Sequence, residues 1–321
     1  MVAKLQDVAQ LAGVSVTTVS RVINNYGSLS QKTIDKVHQA MHELNYRPNA
    51  LARAMQGKAS EFIGLIFPNL TNPFFAELVN ALERQLFQKG YKVIIASSAE
   101  NEQIEHEYLG MLMANQVEGI ISSSHNLGIA EYQKISAPLV AFDRYLSDNI
   151  PIVSADNYLG GQLAAQYMLS KQVKRVAILI DEDTSTSPTL MRVQGAVDEL
   201  TAHGIDYVPL DLNYQSAISL FPGDFDGVIA SNDIIALEIA QIIKNAGRKP
   251  YEDFYITGYD GSKLIRQLAP QLPTVIQPTQ LIAAKLIATL FARIKGRTKQ
   301  ETGRPLEVMF YAGTANGKIK E

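Results

Sequence analysis

Residues 5–24 read LQDVAQLAGVSVTTVSRVIN. Leu5, Val8, Ala9 and Ala12 recur at helical spacing and stop at Gly13, a residue suited to a left-handed C-terminal turn. Ser15 follows as the N-cap of a second short helix, Val16–Ile23, with Val19, Val22 and Ile23 facing inward. Farther on, Ser30 caps a third, longer helix through Leu44, with Ile34, Val37, Met41 and Leu44 on one face. Helix, tight glycine turn, helix predicts a helix-turn-helix head. A plain three-helix bundle needs the same apolar spacing, so the outward face of the second helix has to decide. There Val16, Thr17, Thr18, Ser20 and Arg21 are small or hydrogen-bonding, and only Arg21 is long. A helix entering the major groove of DNA needs slim residues near its N-terminus and a guanidinium that reaches a guanine edge. The face favours DNA.

Charge points the same way. The 321-residue chain carries −3 overall, yet residues 1–60 hold seven Lys/Arg against three acids. That places +4 on the head and leaves −7 on the remainder. A basic head on an acidic body suits a polyanion partner for the head alone. There is no cysteine, which excludes a disulfide framework, a thiolate zinc site and a cysteine nucleophile. The first ten residues contain no apolar h-region, and apolar runs are about the length of FIGLIF (62–67), far short of the ~20 residues of a membrane span. The expectation is a soluble cytoplasmic protein that does not engage a membrane.

From Phe62 the texture changes. FIGLIF (62–67), KVIIAS (92–97), GIISSS (119–124), PLVAFD (138–143), RVAILI (175–180), DGVIAS (226–231) and DFYITGYD (253–260) are short apolar runs. Continuous rather than alternating hydrophobicity predicts strands buried on both faces of parallel sheets. Helices over 74–89, 104–115, 158–170, 190–203 and 234–245 supply the crossovers. The pattern runs through twice, with a break near 147–154. Each pass fits one doubly wound α/β subdomain, and the pair leaves a cleft between them. No GxGxxG opens a helix and no GxxxxGK[ST] is present, so a phosphate cradle has no support.

Taken together, DVAQLAGVSVTTVSRVIN (7–24), YRPNALARAMQGK (46–58), IGLIFPNLTNPFF (63–75), SADN (154–157), ASNDIIALEI (230–239) and TGYDG (257–261) resemble the lactose/galactose-repressor family of bacterial transcription factors. The resemblance runs from Leu5 to about the last strand near Met309. Within the family, LIFPNLTNPFFAEL (65–78), ANQVEGIISSSHNLGI (114–129) and the segment from Phe142 to Asn157 are most similar to the sucrose-operon branch. The resemblance implies a helix-turn-helix head over 1–48, a hinge helix and linker over 49–60, and a periplasmic-binding-protein-like body over 61–321 with a C-terminal return between its two subdomains. It implies a homodimer on a pseudo-palindromic operator. Val16, Thr17 and Arg21 match base-reading positions; Ser15, Thr18, Ser20 and Asn24 match positions that touch phosphate or support the helix. Asn49–Gln56 matches the hinge helix, with Asn49, Ala52, Arg53 and Met55 as its expected DNA contacts. Met55 stands where the family's minor-groove wedge is usually leucine. Some eight residues lie below the ~12–15 that an isolated helix needs in water, so the hinge is expected to fold only on DNA and against its dimer mate. Lys4 departs from the usual threonine or serine N-cap; lysine cannot accept from backbone amides, so the first helix either frays or is capped by another group.

In the body the polar candidates fall at carboxyl ends of strands, where open parallel sheets bind ligands. Asp143 and Arg144 follow PLVAF, Asn232 and Asp233 follow GVIAS, and Asp260 follows YITGY; Arg192 opens the helix after RVAILI. Family matching makes Arg192, Asn232 and Asp260 the positions most used to hold effector hydroxyls. Carboxylates accepting from sugar hydroxyls and a guanidinium donating to them form the usual polar grip on a sugar or sugar phosphate. Phe74 and Tyr214 are placed to cover an apolar sugar face, and His125, Asn126 and Gln277 are weaker candidates. Each has a plainer reading. Asp260 or Asp233 could cap the helix that follows, Phe74 could be core, and Arg192 could pair with Asp143 as a structural ion pair. An enzyme is the rival class, but there is no GxSxG, no acid/nucleophile pair set apart from a hydroxyl-gripping set, and no ligand spacing among the five histidines. No cofactor or metal is expected. Two further alternatives are a global catabolite regulator that takes a phosphocarrier protein as co-repressor, and a sugar-binding protein that never meets DNA.

Overall fold

In the computed structural model the described residues are 3–24, 26–47, 60–99, 101–126, 129–180, 187–211, 224–297 and 303–314. Asn49, Ala52, Arg53, Met55 and Tyr214 lie outside them. The chain forms two compact units, residues 1–60 and 61–321.

The first unit holds α1 (Leu5–Ala12), α2 (Val16–Ile23) and α3 (Gln31–Glu43). Gly13 ends α1 in the left-handed region at φ 65°, as its lack of a Cβ allows. Ser15 and Ser30 cap α2 and α3 by accepting from the N–H groups of Thr18 and Thr33. At α1 the cap problem posed by Lys4 has a specific answer. Asp7 reaches back and accepts from the Lys4 backbone N–H at 2.7 Å, which is half of a capping box. Val8, Val19 and Val37, one from each helix, are wholly buried and form the centre of a small core.

The second unit contains two sheets. The first is β1 (Phe62–Phe67), β2 (Lys92–Ser97), β3 (Gly119–Ser122), β4 (Leu139–Phe142) and β5 (Ile152–Val153), in the order β2-β1-β3-β4-β5. All its pairings are parallel, with Ile63 opposite Val93 on one side and Gly119 on the other. Its helices are α4 (Pro73–Phe87), α5 (Glu102–Ala114) and the short α6 (Glu131–Lys134). The second sheet has β6 (Arg175–Ile180), β7 (Asp206–Asp211), β8 (Gly227–Ile229), β9 (Tyr255–Asp260), β10 (Thr274–Ile276) and β11 (Met309–Tyr311), in the order β11-β10-β9-β8-β6-β7. Only β11 runs antiparallel. Around it stand α7 (Asn157–Ser170), α8 (Leu190–Ala202), α9 (Asp233–Asn245) and α10 (Lys263–Leu268). This is the doubly wound, two-subdomain architecture expected from the apolar runs.

The chain crosses between the sheets three times. It leaves the first after β5 and enters α7. It returns after β10 as α11 (Thr279–Ile294), whose Ile282, Ala283, Leu286, Ile287 and Leu290 are buried with Phe74, Leu78 and Leu82 of α4. It then crosses back toward β11, where Leu306 bridges Ala155 and exchanges backbone hydrogen bonds with Ser154 and Asp156. The first crossing follows Val153, because Ile152 and Val153 still pair with Ala141 and Phe142. No described helix is long and apolar enough to cross a membrane.

Candidate functional site

Two surfaces carry the chemistry, one in each unit. On α2 of the head, Val16, Thr17 and Arg21 are exposed, while Val19 and Val22 are buried behind them. Thr17 and Arg21 lie one turn apart on the same face, as do Val16, Ser20 and Asn24. Ser15 accepts from the Thr18 N–H at 3.1 Å and lies 2.9 Å from its hydroxyl; Asn24 Nδ2 donates to Ser20 Oγ at 3.2 Å. Ser15, Thr18, Ser20 and Asn24 therefore brace the helix ends, and Val16, Thr17 and Arg21 are left to project.

The body surface is a narrow cleft at the carboxyl ends of both sheets. Its lining brings together Phe74, His125, Asp143, Arg144, Arg192, Asn232, Asp260 and Gln277, every described effector candidate but Asn126 and Asp233, together with Asn72, Phe75, Ser123, Phe142, Thr189 and Ser231. Asn126 instead turns its amide to the buried Glu105. Asn72, Phe75, Thr189 and Ser231 were not singled out by sequence. As a helix cap, a second phenylalanine and loop hydroxyls, they carry no signal that separates them from ordinary structure.

Arg192 is the hub of the polar set. Its Nε donates to Asn157 Oδ1 at 2.6 Å, Nη1 lies 3.4 Å from the Ser231 carbonyl, and its guanidinium stacks 3.7 Å from the centre of the Tyr259 ring. Its Nη2 stands 3.6 Å from Asp143 Oδ2, so the ion pair between the two subdomains is present in the structure. Asn157 completes this group by donating to Asp143 Oδ1 at 2.9 Å. Burial raises the Asp143 carboxyl above its ordinary range, and Arg192 followed by Asn157 pull it back.

Asp260 accepts from Gln277 Nε2 at 2.8 Å and faces Asn72 Nδ2 at 3.5 Å. Burial pushes its carboxyl up to about 6 against the opposing pull of Arg192. Asp233 lies behind it and is pushed up to about 8 by burial and then by the Asp260 charge. The expectation that Asp233 or Asp260 caps a helix is corrected here. Asn232 caps α9 by accepting from the Ile235 N–H, and Ser262 caps α10. Asp233, the first residue inside α9, instead accepts from the Gly261 N–H and the Thr274 hydroxyl, which locks the turn after β9. With its Oδ1 spent on the cap, Asn232 offers the cleft its amide N–H groups.

The opposite wall is aromatic. Phe74 is at once core and cleft wall: it is buried and packs on Phe75 and Phe142, with ring centres 5.5 and 5.9 Å away. Arg144 reaches across from the first subdomain and donates to Thr189 Oγ1 of the second at 2.8 Å. Three buried polar atoms in this cleft have no hydrogen-bond partner: Asp143 Oδ2, Ser231 Oγ and Gln277 Oε1. Buried polar groups are nearly always paired, so these three atoms leave the cleft with unused hydrogen-bonding capacity. Among the described residues no three His, Asp or Glu side chains converge as a metal site.

The family model for bacterial regulatory proteins of the lacI family matches residues 4–49. The model for periplasmic binding proteins and the sugar binding domain of that family matches residues 60–294. The sucrose operon repressor of Pediococcus pentosaceus is 46% identical over 302 residues, 91% of this chain and 92% of that protein. The sucrose operon repressor of Streptococcus mutans is 45% identical over 299 residues, covering 92% and 93%. Among solved structures, a lac repressor dimer bound to operator and an anti-inducer superposes with a TM-score of 0.81 at 25% identity, over 97% of this chain and 98% of that one.

Proposed function

The chain belongs to the lacI family of bacterial regulatory proteins, and on that premise we propose that it governs a sucrose-utilisation operon in the cytoplasm through a small sugar held in its cleft. As a family member it is a DNA-binding repressor of a sugar operon, acts as a dimer on operator DNA and is not an enzyme. The assignment to sucrose rests on the two sucrose-operon relatives. On the head, Arg21 reads a guanine edge in each half-site, and Val16 and Thr17 make the slim contacts beside it.

The observation that carries the effector reading is the set of buried atoms on Asp143, Ser231 and Gln277 that make no hydrogen bond, Asp143 Oδ2 having only its longer ion pair to Arg192. They come from both subdomains and stand around Arg192, with Phe74 and Phe142 on the facing wall. A sugar supplies what this arrangement lacks: hydroxyls that both donate and accept, and an apolar ring face. Calorimetric titration of the purified protein with sucrose, fructose and glucose tests it. At least one is expected to bind, and Asp143→Ala is expected to weaken that sugar by about 1.5–3 kcal/mol, the scale of a hydrogen bond to a charged group. If none of the three binds, the sucrose assignment fails.

A further inference from the structure

Behind the cleft, on α5, lies a carboxylate that neither the DNA face nor the sugar grip uses. Glu105 is wholly buried. Its donors are neutral: Ser124 Oγ at 2.5 Å and Asn126 Nδ2 at 2.6 Å, both on Oε2, and the Tyr132 hydroxyl on Oε1. Tyr132 in turn lies 3.0 Å from Ser122 Oγ at the end of β3. A buried carboxylate is costly unless its oxygens are satisfied, whereas a leucine would fill the same space without that cost. Tyr132 meets that cost at Oε1 from α6, and at Oε2 it is met by the loop that leaves β3 for the cleft.

Ser124 and Asn126 bracket His125. Both flanking side chains turn inward to the same oxygen of Glu105, and Ser124 Oγ also accepts from the Asn126 N–H at 2.9 Å. His125 turns the other way, into the cleft lining. There its Nε2 is 2.9 Å from Arg144 Nη2, and its ring meets Phe75 edge-on at 6.1 Å. A guanidinium has donors and no acceptor, so Nε2 must accept and the ring proton must sit on Nδ1. Arg144 is the residue that also reaches Thr189 across the cleft.

We propose that Glu105 is a positioning residue for effector recognition: by holding Ser124 and Asn126 it fixes His125 as the Nδ1–H tautomer against Arg144 and so sets the first subdomain's wall of the cleft. The effector part rests on the sugar reading above; the tautomer part does not. Glu105→Leu removes the acceptor for Ser124 and Asn126. Glu105→Gln keeps one oxygen for them and turns its amide toward the Tyr132 hydroxyl, so it should restore the bracket. Asn126→Ala cuts one arm of the bracket without touching the buried helix face, and it stands in should Glu105→Leu fail to fold.

Two readouts decide it. Nitrogen-15 NMR of the His125 ring, assigned by its loss in His125→Ala, should show the Nδ1–H form in the wild type and in Glu105→Gln. In Glu105→Leu and Asn126→Ala it should show a mixture of tautomers. Calorimetry with sucrose, fructose and glucose should show the bound sugar weakened about tenfold in Glu105→Leu. The same substitution should cost little in a His125→Ala background, since the effect passes through that ring. An unchanged tautomer signal in Glu105→Leu and Asn126→Ala overturns the proposal. So does an equal loss of sugar affinity with and without His125. If no sugar binds the wild type, the effector reading is what fails, and the NMR signal still decides the role of Glu105.

Discussion

Asp143 and Asp260 stand at corresponding places in the two subdomains, at the carboxyl ends of β4 and β9, each the fourth strand of its half. Both have backbones in the left-handed region, at φ 52° and 104°, where residues other than glycine are strained. Both carboxyls are raised by burial and lowered by a cation they share, Arg192, with Arg144 adding to the pull on Asp143. The folded body therefore holds protons more tightly than the unfolded chain. Its stability from Asp260 is fully present below about pH 4 and is lost as pH rises through about 6, with Asp233 extending the loss toward about 8. Sugar binding has the opposite sign, because an ionised Asp260 is the better acceptor for a hydroxyl. Sugar affinity measured by calorimetry should fall by up to tenfold per pH unit below about 6, and Asp260→Asn should flatten that profile. An unchanged profile in the variant would remove Asp260 from the grip. Sequence brought Asp143, Asn232 and Asp260 to notice because each stands just after an apolar run, and Arg192 because it matches the family's position near the start of the next helix. Asn72 and Asn157 escaped notice because a cap before Pro73 and the first residue of a helix look the same whether or not they also reach into a cleft. Asp233 misled because the residue just inside a helix and the residue that caps it differ by a single position.

At the scale of elements, α7 and α8 bring Asn157 and Arg192 together by close backbone contact. A Cβ on Gly161 would lie 1.9 Å from the Arg192 carbonyl oxygen, and one on Gly195 would lie 2.1 Å from that of Tyr158. The helices can approach this closely only with glycine at both places. Gly161→Ala should therefore cost about 1–3 kcal/mol, the usual penalty of overpacking, as read from the denaturation midpoint. Gly110→Ala on the exposed side of α5, where a Cβ would meet nothing within 4 Å, should instead stabilise by about 0.5–1 kcal/mol. Equal effects at the two sites would contradict the packing assigned to this helix pair. The head helices and the long apolar strands were legible because caps and periodicity agreed with burial. β7 was not, since DYVPLD (206–211) has too short an apolar run and contains a proline, which is tolerated there on an edge strand. α11 was legible only as a return, because TQLIAAKLIATLFARI (279–294) does not itself say which sheet it covers.

For the body as a whole, the polar grip matters because its members belong to different halves. Asp143, Phe74 and Arg144 belong to the first subdomain; Arg192, Asn232 and Asp260 belong to the second. A sugar that bridges them favours one relative setting of the halves, and it shifts that equilibrium only by its difference in affinity for the two settings. Two charge-assisted contacts of about 1.5–3 kcal/mol each give about 3–6 kcal/mol. That brackets the ~5.5 kcal/mol needed to move a two-state population from about 1:99 to about 99:1. Sugar in this cleft is thereby expected to control the hold on DNA. The most direct measurement is operator affinity of wild type and Asp260→Asn, with and without the bound sugar, at one fixed salt concentration. The two proteins should bind operator alike without sugar, and only the wild type should change its affinity when sugar is added. A variant that responds at wild-type sugar concentrations would place the sensing site elsewhere.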